Sequence, residues 1–212
     1  MRLRNIKGAD QAVLESCYCV KNPASCKGKW SQLFQNHHPI HIEIGMGKGQ
    51  FLMQLAQQNP SINYIGVERY TSVLYRALQK MEDLPLTNLK FLCEDAKLLP
   101  EIFDSNEINR IYLNFSDPWP KDRHARRRLT SKEFLARYHL FLASDGQVEF
   151  KTDNTLLFDF SLEEAKLANW NIIVCTHDLH HDSILNEGNV MTEYEQKFSA
   201  KGQFICKMIL KR

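Results

Sequence analysis

Residues Ser116 to Lys121 read S-D-P-W-P-K, and they set an acid, an aromatic ring and a cation in a frame with little freedom. Asp117 and Trp119 each precede a proline, which pushes both toward extended backbone, while Pro118 and Pro120 have φ nearly fixed. Arg123, His124, Arg126, Arg127 and Arg128 follow, with only Asp122 nearby to offset them. A rigid carboxylate beside a basic run points to chemistry conducted next to a polyanion. Upstream lies a glycine turn, Gly45-Met46-Gly47-Lys48-Gly49, with Glu43 just before it. Glu68, Asp95 and Asp153 stand after later apolar runs, as Asp117 stands after its own. One or two such acids would be ordinary loop polarity, whereas five suggest a lined cleft.

The acids form one site only if the chain gathers the ends of those runs. From residue 40 short apolar runs alternate with segments at helical spacing, the signature of β-α units and a parallel sheet. Ile40, Ile42 and Ile44 read as a first strand, and Phe51, Leu52, Leu55 and Ala56 as a helix stopped by Pro60. Tyr64, Ile65 and Val67 make a second strand, Val73 to Met81 a second helix, Leu89 to Cys93 a third strand and Ile111 to Phe115 a fourth. Thr130 and Glu133 are spaced as a capping box for a helix carrying Phe134, Leu135, Tyr138 and Phe141. Strands at Gln147–Lys151, Asn171–Cys175 and Gln203–Leu210, with a helix near Phe158–Ala168, complete the set. In open α/β sheets ligands bind outside the carboxyl ends of the strands, which is where the acids stand. Residues 1–39 read as an irregular N-terminal basic arm or cap, with Arg2, Arg4, Lys7, Lys21, Lys27 and Lys29 against Asp10 and Glu15, mobile in part when nothing is bound. Residues 40–212 form the main domain, in a chain that is a single globular unit overall.

The glycine turn by itself does not choose a ligand, because dinucleotide enzymes, flavin enzymes and methyltransferases all use such turns. Charge separates them. A dinucleotide would bring its pyrophosphate to the turn, where Glu43 repels it, although Lys48 argues the other way. S-adenosyl-L-methionine has no phosphate and carries a sulfonium and an ammonium, so carboxylates suit it. Glu68, about 20 residues beyond the glycines, is placed for ribose hydroxyls, and Asp95 for the adenine amino group.

Three motifs then carry a resemblance: E-I-G-M-G-K-G at Glu43 to Gly49, S-D-P-W-P-K at Ser116 to Lys121, and T-E-Y-E at Thr192 to Glu195. In this order and spacing, from about residue 28 to the end, the chain closely resembles the bacterial tRNA (guanine-N7)-methyltransferase family; the first 27 residues, with their cysteines, depart from it. The resemblance implies a Rossmann-like class I methyltransferase: α/β, a seven-stranded mostly parallel sheet with helices on both faces and the last strand antiparallel. It implies methyl transfer to N7 of a guanosine in the variable loop of tRNA. By similarity Glu43, Gly45, Gly47, Gly49, Glu68, Asp95 and Asp117 would hold the methyl donor, and Asp117 would also be the catalytic residue. Lys121, Asp153, Thr192, Glu193, Tyr194 and Glu195 would meet the substrate base and its surroundings, and Arg123, His124, Arg126, Arg127 and Arg128 the RNA. The expected partner is tRNA and not a membrane, for a cytoplasmic monomer or homodimer. Trp119 has two readings, a stacking surface for guanine or a packing anchor for its loop.

Composition narrows the alternatives. The chain has 212 residues, 43% hydrophobic and 25% charged, with net charge +2, so a nucleic-acid role must rest on where charge sits rather than on how much there is. No secretory leader or long apolar run is present, which points to a soluble intracellular protein. Six cysteines do not make a disulfide framework: Cys93, Cys175 and Cys206 lie in strand-like runs as small buried hydrophobes. Cys17, Cys19 and Cys26 are spaced C-x-C-x6-C, which fits neither a zinc ribbon nor a finger, so no metal is expected. His177, His180 and His181 read as loop histidines. Two rival functions stay open: methylation of an exocyclic amino group, since acid-or-amide-Pro-aromatic loops serve that chemistry too, and a non-catalytic RNA-binding protein on a methyltransferase fold.

Overall fold

The computed structural model describes residues 6–212, so Arg2 and Arg4 of the basic segment lie outside the described residues. The sheet has seven strands in the order β3-β2-β1-β4-β5-β7-β6. They are β1 (Ile40–Ile44), β2 (Asn63–Val67), β3 (Leu89–Leu92), β4 (Ile108–Asn114), β5 (Leu142–Thr152), β6 (Asn171–Thr176) and β7 (Cys206–Lys211). All pairings from β3 to β5 are parallel, and β7 enters antiparallel between β5 and β6, as the resemblance implies. The chain winds outward in both directions from the β1/β4 pair, which makes the carboxyl ends of those two strands the topological switch point.

Burial explains why these runs become inner strands. Every residue of β2 is buried, since a parallel strand covered on both faces has no solvent side to supply alternation. Helices α3 (Gln50–Gln58) and α4 (Thr71–Asp83) place Phe51, Leu52, Leu74 and Met81 in one apolar cluster, while α6 (Lys132–His139) and α7 (Thr155–Leu167) place Phe134, Tyr138 and Phe158 in another. Gly66 in β2 has a steric reason: a Cβ there would meet Met46 Sδ at 2.1 Å, so the glycine turn after β1 seats directly on the strand.

The leading segment differs from expectation. Residues 6–39 are not an irregular arm but contain α1 (Ala9–Glu15) and α2 (Trp30–Phe34), and they send Val13, Cys19, Trp30 and Phe34 into the two clusters. Tyr18 O accepts from Phe91 N at 2.8 Å and Phe91 O from Val20 N at 3.0 Å, so this segment pairs along β3, the sheet's border strand. Trp30 Nε1 donates to Ile102 O at 3.1 Å. Helices of seven and five residues are too short to show periodicity, which is why the pattern was invisible.

Smaller differences have local causes. Ser131, not Thr130, caps α6, because Thr130 Oγ1 lies 2.6 Å from Ser161 Oγ, buried between α6 and α7. The strand before D-P-W-P-K begins at Ile108 rather than Ile111, with a register shift before Arg110. Cys206 is buried as expected and Cys93 half-buried, but Cys175 is exposed, since β6 is a border strand covered on one side only. Among the described residues, no group of three or more His, Cys, Asp or Glu is arranged to hold a metal ion. No described helix is long and apolar enough to cross a membrane.

Candidate active site

At the carboxyl ends of β1 to β4 lies a cavity of about 710 Å³ lined by Gly45, Glu68, Asp95, Phe115, Asp117, Trp119 and Arg127, among others. A second of about 190 Å³ adjoins it through Gly45 and Phe115, lined by Glu43, Gly47, Lys48, Gly49, Asn114, Thr192, Glu193 and Tyr194. The two share one rim, and between them they gather residues expected to meet the donor with part of those expected to meet the base. Asp153 reaches the second through Tyr194, whose hydroxyl donates to Asp153 Oδ2 at 2.8 Å.

Gly45, Gly47 and Gly49 all have positive φ (78°, 60° and 73°), a conformation that residues with a Cβ seldom adopt. The first two have open space where a Cβ would stand, which leaves backbone free for close approach, while a Cβ at Gly49 would stand 3.2 Å from Ala77 Cβ, so glycine there lets the turn pack on α4. Glu68 accepts from Gly47 N at 3.2 Å and Tyr70 N at 3.0 Å. A turn amide that meets phosphate in dinucleotide folds is therefore taken by a carboxylate here. Asp95 accepts from Lys97 N at 2.9 Å and lies 3.6 Å from Arg69 Nη1.

Glu43 is 2% exposed and accepts from Asn114 Nδ2 at 2.8 Å, yet its Oε2 and the Asn114 Oδ1 have no partner. Burial pushes its carboxyl up to about 8, with Asn114 and the nearby Lys151 ammonium opposing and Glu68 adding to the rise. The unpartnered oxygens of the buried acid and of Asn114 form a place for a cationic group, which would favour the ionised carboxylate and donate to both, since such atoms cost free energy until something donates to them. The residues present thus fit the ammonium-bearing methyl donor and do not fit a pyrophosphate.

The D-P-W-P-K loop is tighter than its prolines imply. Trp119 was expected to be extended, yet it has φ 42°, and Phe115 has φ 51°. Non-glycine residues in this region cost roughly 1–3 kcal/mol each and persist only where neighbours hold them. The neighbours are visible: the Arg127 guanidinium lies 5.0 Å from the Trp119 ring centroid, His124 meets the ring edge-on at 5.6 Å, and Arg128 donates to Pro118 O and Trp119 O at 3.0 and 3.1 Å. Trp119 is therefore a packed anchor that also lines the larger cavity.

The basic run consequently divides, where the sequence read it as one RNA-facing strip. Arg123, Arg126 and Arg127 are exposed, and Arg126 pairs loosely with Glu133 at 3.2 Å. His124 and Arg127 grip Trp119, and Arg128 is turned inward with its guanidinium 4.2 Å from the Phe160 ring centroid. Lys121 is exposed beside the run.

The T-E-Y-E segment shows the largest correction. Thr192 and Glu195 form the capping box of α8 (Glu193–Ser199), a helix absent from the elements read in the sequence although the T-x-x-E spacing is the signature of one. Glu195 does not face the cleft: it is fully buried, accepting from Lys151 Nζ at 2.6 Å, His180 Nε2 at 3.0 Å, Asn189 Nδ2 at 2.9 Å and Thr192 N at 3.4 Å. With its oxygens taken, it has no capacity left for a base. Burial alone would push its carboxyl up, but Lys151, His180 and Asn189 outweigh that and hold it below the ordinary carboxylate range. Lys151 is itself fully engaged, donating also to Asn189 Oδ1 at 3.1 Å and Val190 O at 3.0 Å. Glu193 points to Lys80 at 3.0 Å and Lys48 at 3.9 Å, and Tyr194 meets the Phe115 ring at a tilt of 38° with centroids 4.8 Å apart. Asn114 was missed as a site residue, and Lys151 and His180 as supports beneath the site; nothing in a lone lysine of an apolar strand marks it, because its partner lies 44 positions away.

A family model described as "Putative methyltransferase" matches residues 37–208. A tRNA (guanine-N(7)-)-methyltransferase of Lachnoclostridium phytofermentans is 57% identical, across 99% of this chain and 97% of its own, and one of Bacillus subtilis is 48% identical, across 96% and 95%. The chain belongs to the tRNA (guanine-N7)-methyltransferase family. Within the family the likeness to the Lachnoclostridium protein spans 99% of this chain and so takes in the first 27 residues, which the motifs did not reach. Solved structures place the family's fold among methyltransferases. The crystal structure of the 16S rRNA methyltransferase KamB superposes with TM-score 0.63 at 16% identity, covering 86% of this chain and 91% of that one. A phosphoethanolamine N-methyltransferase of Haemonchus contortus, in complex with S-adenosyl-L-methionine, gives 0.54 at 13%, covering 98% and 60%.

Proposed function

We propose that this protein transfers a methyl group from S-adenosyl-L-methionine to N7 of a guanosine in the variable loop of tRNA. The observation that carries the reading is the single cavity in which Glu68, Asp95 and Asp117 meet at the ends of β2, β3 and β4, with Arg127 of the basic run at the same rim. The relatives' names and their identity over nearly the whole chain support the same substrate.

Glu43, Glu68 and Asp95 hold the donor, and the glycine turn lets the backbone approach it. Bound there, it supplies an electrophilic methyl on a cationic sulfur. Guanine N7 has an in-plane lone pair and no proton, so no residue has to act as a base. The ring becomes cationic as the bond forms, and Asp117, at the mouth of the cavity, stabilises that charge more than it stabilises neutral guanine. Tyr194 and Thr192 shape the neighbouring hollow, where Asp153 fixes the Tyr194 hydroxyl. Lys121, Arg123 and Arg126 face solvent beside the mouth and bind phosphate.

Incubation with labelled methyl donor and unmodified tRNA, followed by nucleoside mapping, tests the whole reading. The expected product is N7-methylguanosine, recognised by chain cleavage after mild reduction and base. A label on an exocyclic amine, which resists cleavage, would replace it with the nearer rival, and failure to bind the donor at all would leave a non-catalytic RNA-binding protein.

The exposed half of the basic run makes its own prediction. If Arg123 and Arg126 each neutralise a phosphate, the double alanine variant loses tRNA affinity and its log Kd against log salt becomes shallower by roughly 1.4 to 1.8. Donor affinity stays at the wild-type value. Filter binding across a salt series checks this, and an unchanged slope removes both arginines from the interface.

A further inference from the structure

We propose that Arg128 is a positioning residue for Asp117: its guanidinium clamps the strained loop that presents the catalytic carboxylate and does not bind RNA. The inference rests on the role given above to Asp117, and it assigns to one arginine of the run a grip on the loop's backbone carbonyls that its neighbours do not share.

Three observations converge on it. Nε and Nη2 of Arg128 donate to two successive carbonyls, Pro118 O at 3.0 Å and Trp119 O at 3.1 Å. These are the two residues that follow Asp117, so the fork fixes the backbone immediately beyond the carboxylate. Its guanidinium also stacks on the Phe160 ring at 4.2 Å, a platform contributed by α7. The loop it grips needs gripping, because Phe115 and Trp119, on either side of Asp117, both hold positive φ that free chain would relax. The planar fork of arginine suits this arrangement, and the single ammonium of lysine does not reproduce it.

Charge and geometry therefore make opposite forecasts for Arg128→Lys. A phosphate ligand would survive that change, whereas a carbonyl fork would not. The expected result is a single-turnover methylation rate lowered roughly 10- to 100-fold, the scale on which a misplaced catalytic group costs rate. Affinity for tRNA, its salt slope and donor affinity should match wild type. A second readout does not depend on activity. Of the three tryptophans, Trp30 and Trp170 are buried (0% and 6% exposed), so iodide quenching of fluorescence reports chiefly on Trp119. Quenching should rise in Arg128→Lys and stay unchanged in the Arg123→Ala control. Phe160→Leu removes the platform without touching charge and should reproduce both effects in weaker form, which keeps the test alive if Arg128→Lys does not fold.

A wild-type rate and wild-type quenching in Arg128→Lys would overturn the proposal. So would an Arg128→Ala variant whose salt slope drops by about one phosphate contact while its turnover at saturating tRNA is normal. If the wild-type protein methylates no tRNA but quenching still rises in Arg128→Lys, the function is wrong and the clamp stands.

Discussion

Asp117→Ala is expected to fold as wild type and to lose turnover by roughly 10²- to 10³-fold, the usual loss on removing one preorganised electrostatic contact to a developing charge. The fold is spared because Asp117 is exposed at the mouth of the cavity, and surface substitutions away from caps and cores rarely move stability by more than about 0.5 kcal/mol. The interaction is made only as the purine becomes cationic, so kcat and kcat/KM for tRNA should fall together. Asp117→Asn sharpens the test, since it keeps the shape and removes the charge. A loss in the amide variant close to that in the alanine variant assigns the effect to counter-charge, and a mild loss assigns it to orientation. Single-turnover assays beside thermal melting make the measurement, and near-normal turnover in the alanine variant would remove the residue from its role.

The second large effect lies beneath the site. Lys151→Ala leaves the fully buried Glu195 without its lysine counter-charge and with only His180, Asn189 and Thr192 donating to it, and breaking such a pair from one side typically costs about 3–5 kcal/mol. Replacing both partners, as in Lys151→Met with Glu195→Leu, should recover much of that loss, because neither charge then remains to be desolvated. The pH dependence has a definite sign. The folded Glu195 carboxyl is held below its ordinary value, so its contribution is present above the unfolded carboxylate pKa and fades as pH falls through the folded one. Urea midpoints at neutral pH and near pH 4 should converge between wild type and Glu195→Gln on the acid side. A loss below about 1 kcal/mol in Lys151→Ala at neutral pH would show that the pair is not what holds this segment.

The parallel half of the sheet and the donor side of the site were legible in the sequence because both are written locally. An isoleucine-rich run ending in glycines, or an acid following an apolar stretch, needs no distant partner to be recognised. The substrate side was harder. Glu195 and Glu193 share a motif, yet one points into the protein and the other to surface lysines, and only the long-range position of Lys151 decides which. The arginine run failed in the same way: five basic residues in a row of six look alike until Trp119, Phe160 and Glu133 draw them in different directions. Trp119 was expected to be extended on the rule for residues before proline, and that local preference lost to the contacts around it. The leading segment escaped for want of length, its helices being shorter than the repeat that would reveal them.

The pairing of residues 18–20 with Phe91 has an effect beyond the cleft. A β-sheet ordinarily offers unpaired amides and carbonyls along both outermost strands, each a template on which another molecule can zip. Here Phe91 of one outermost strand is already paired by the chain itself, and the other margin belongs to β6. Strand addition at the first margin has to displace residues 18–20, which leaves β6 as the more open template.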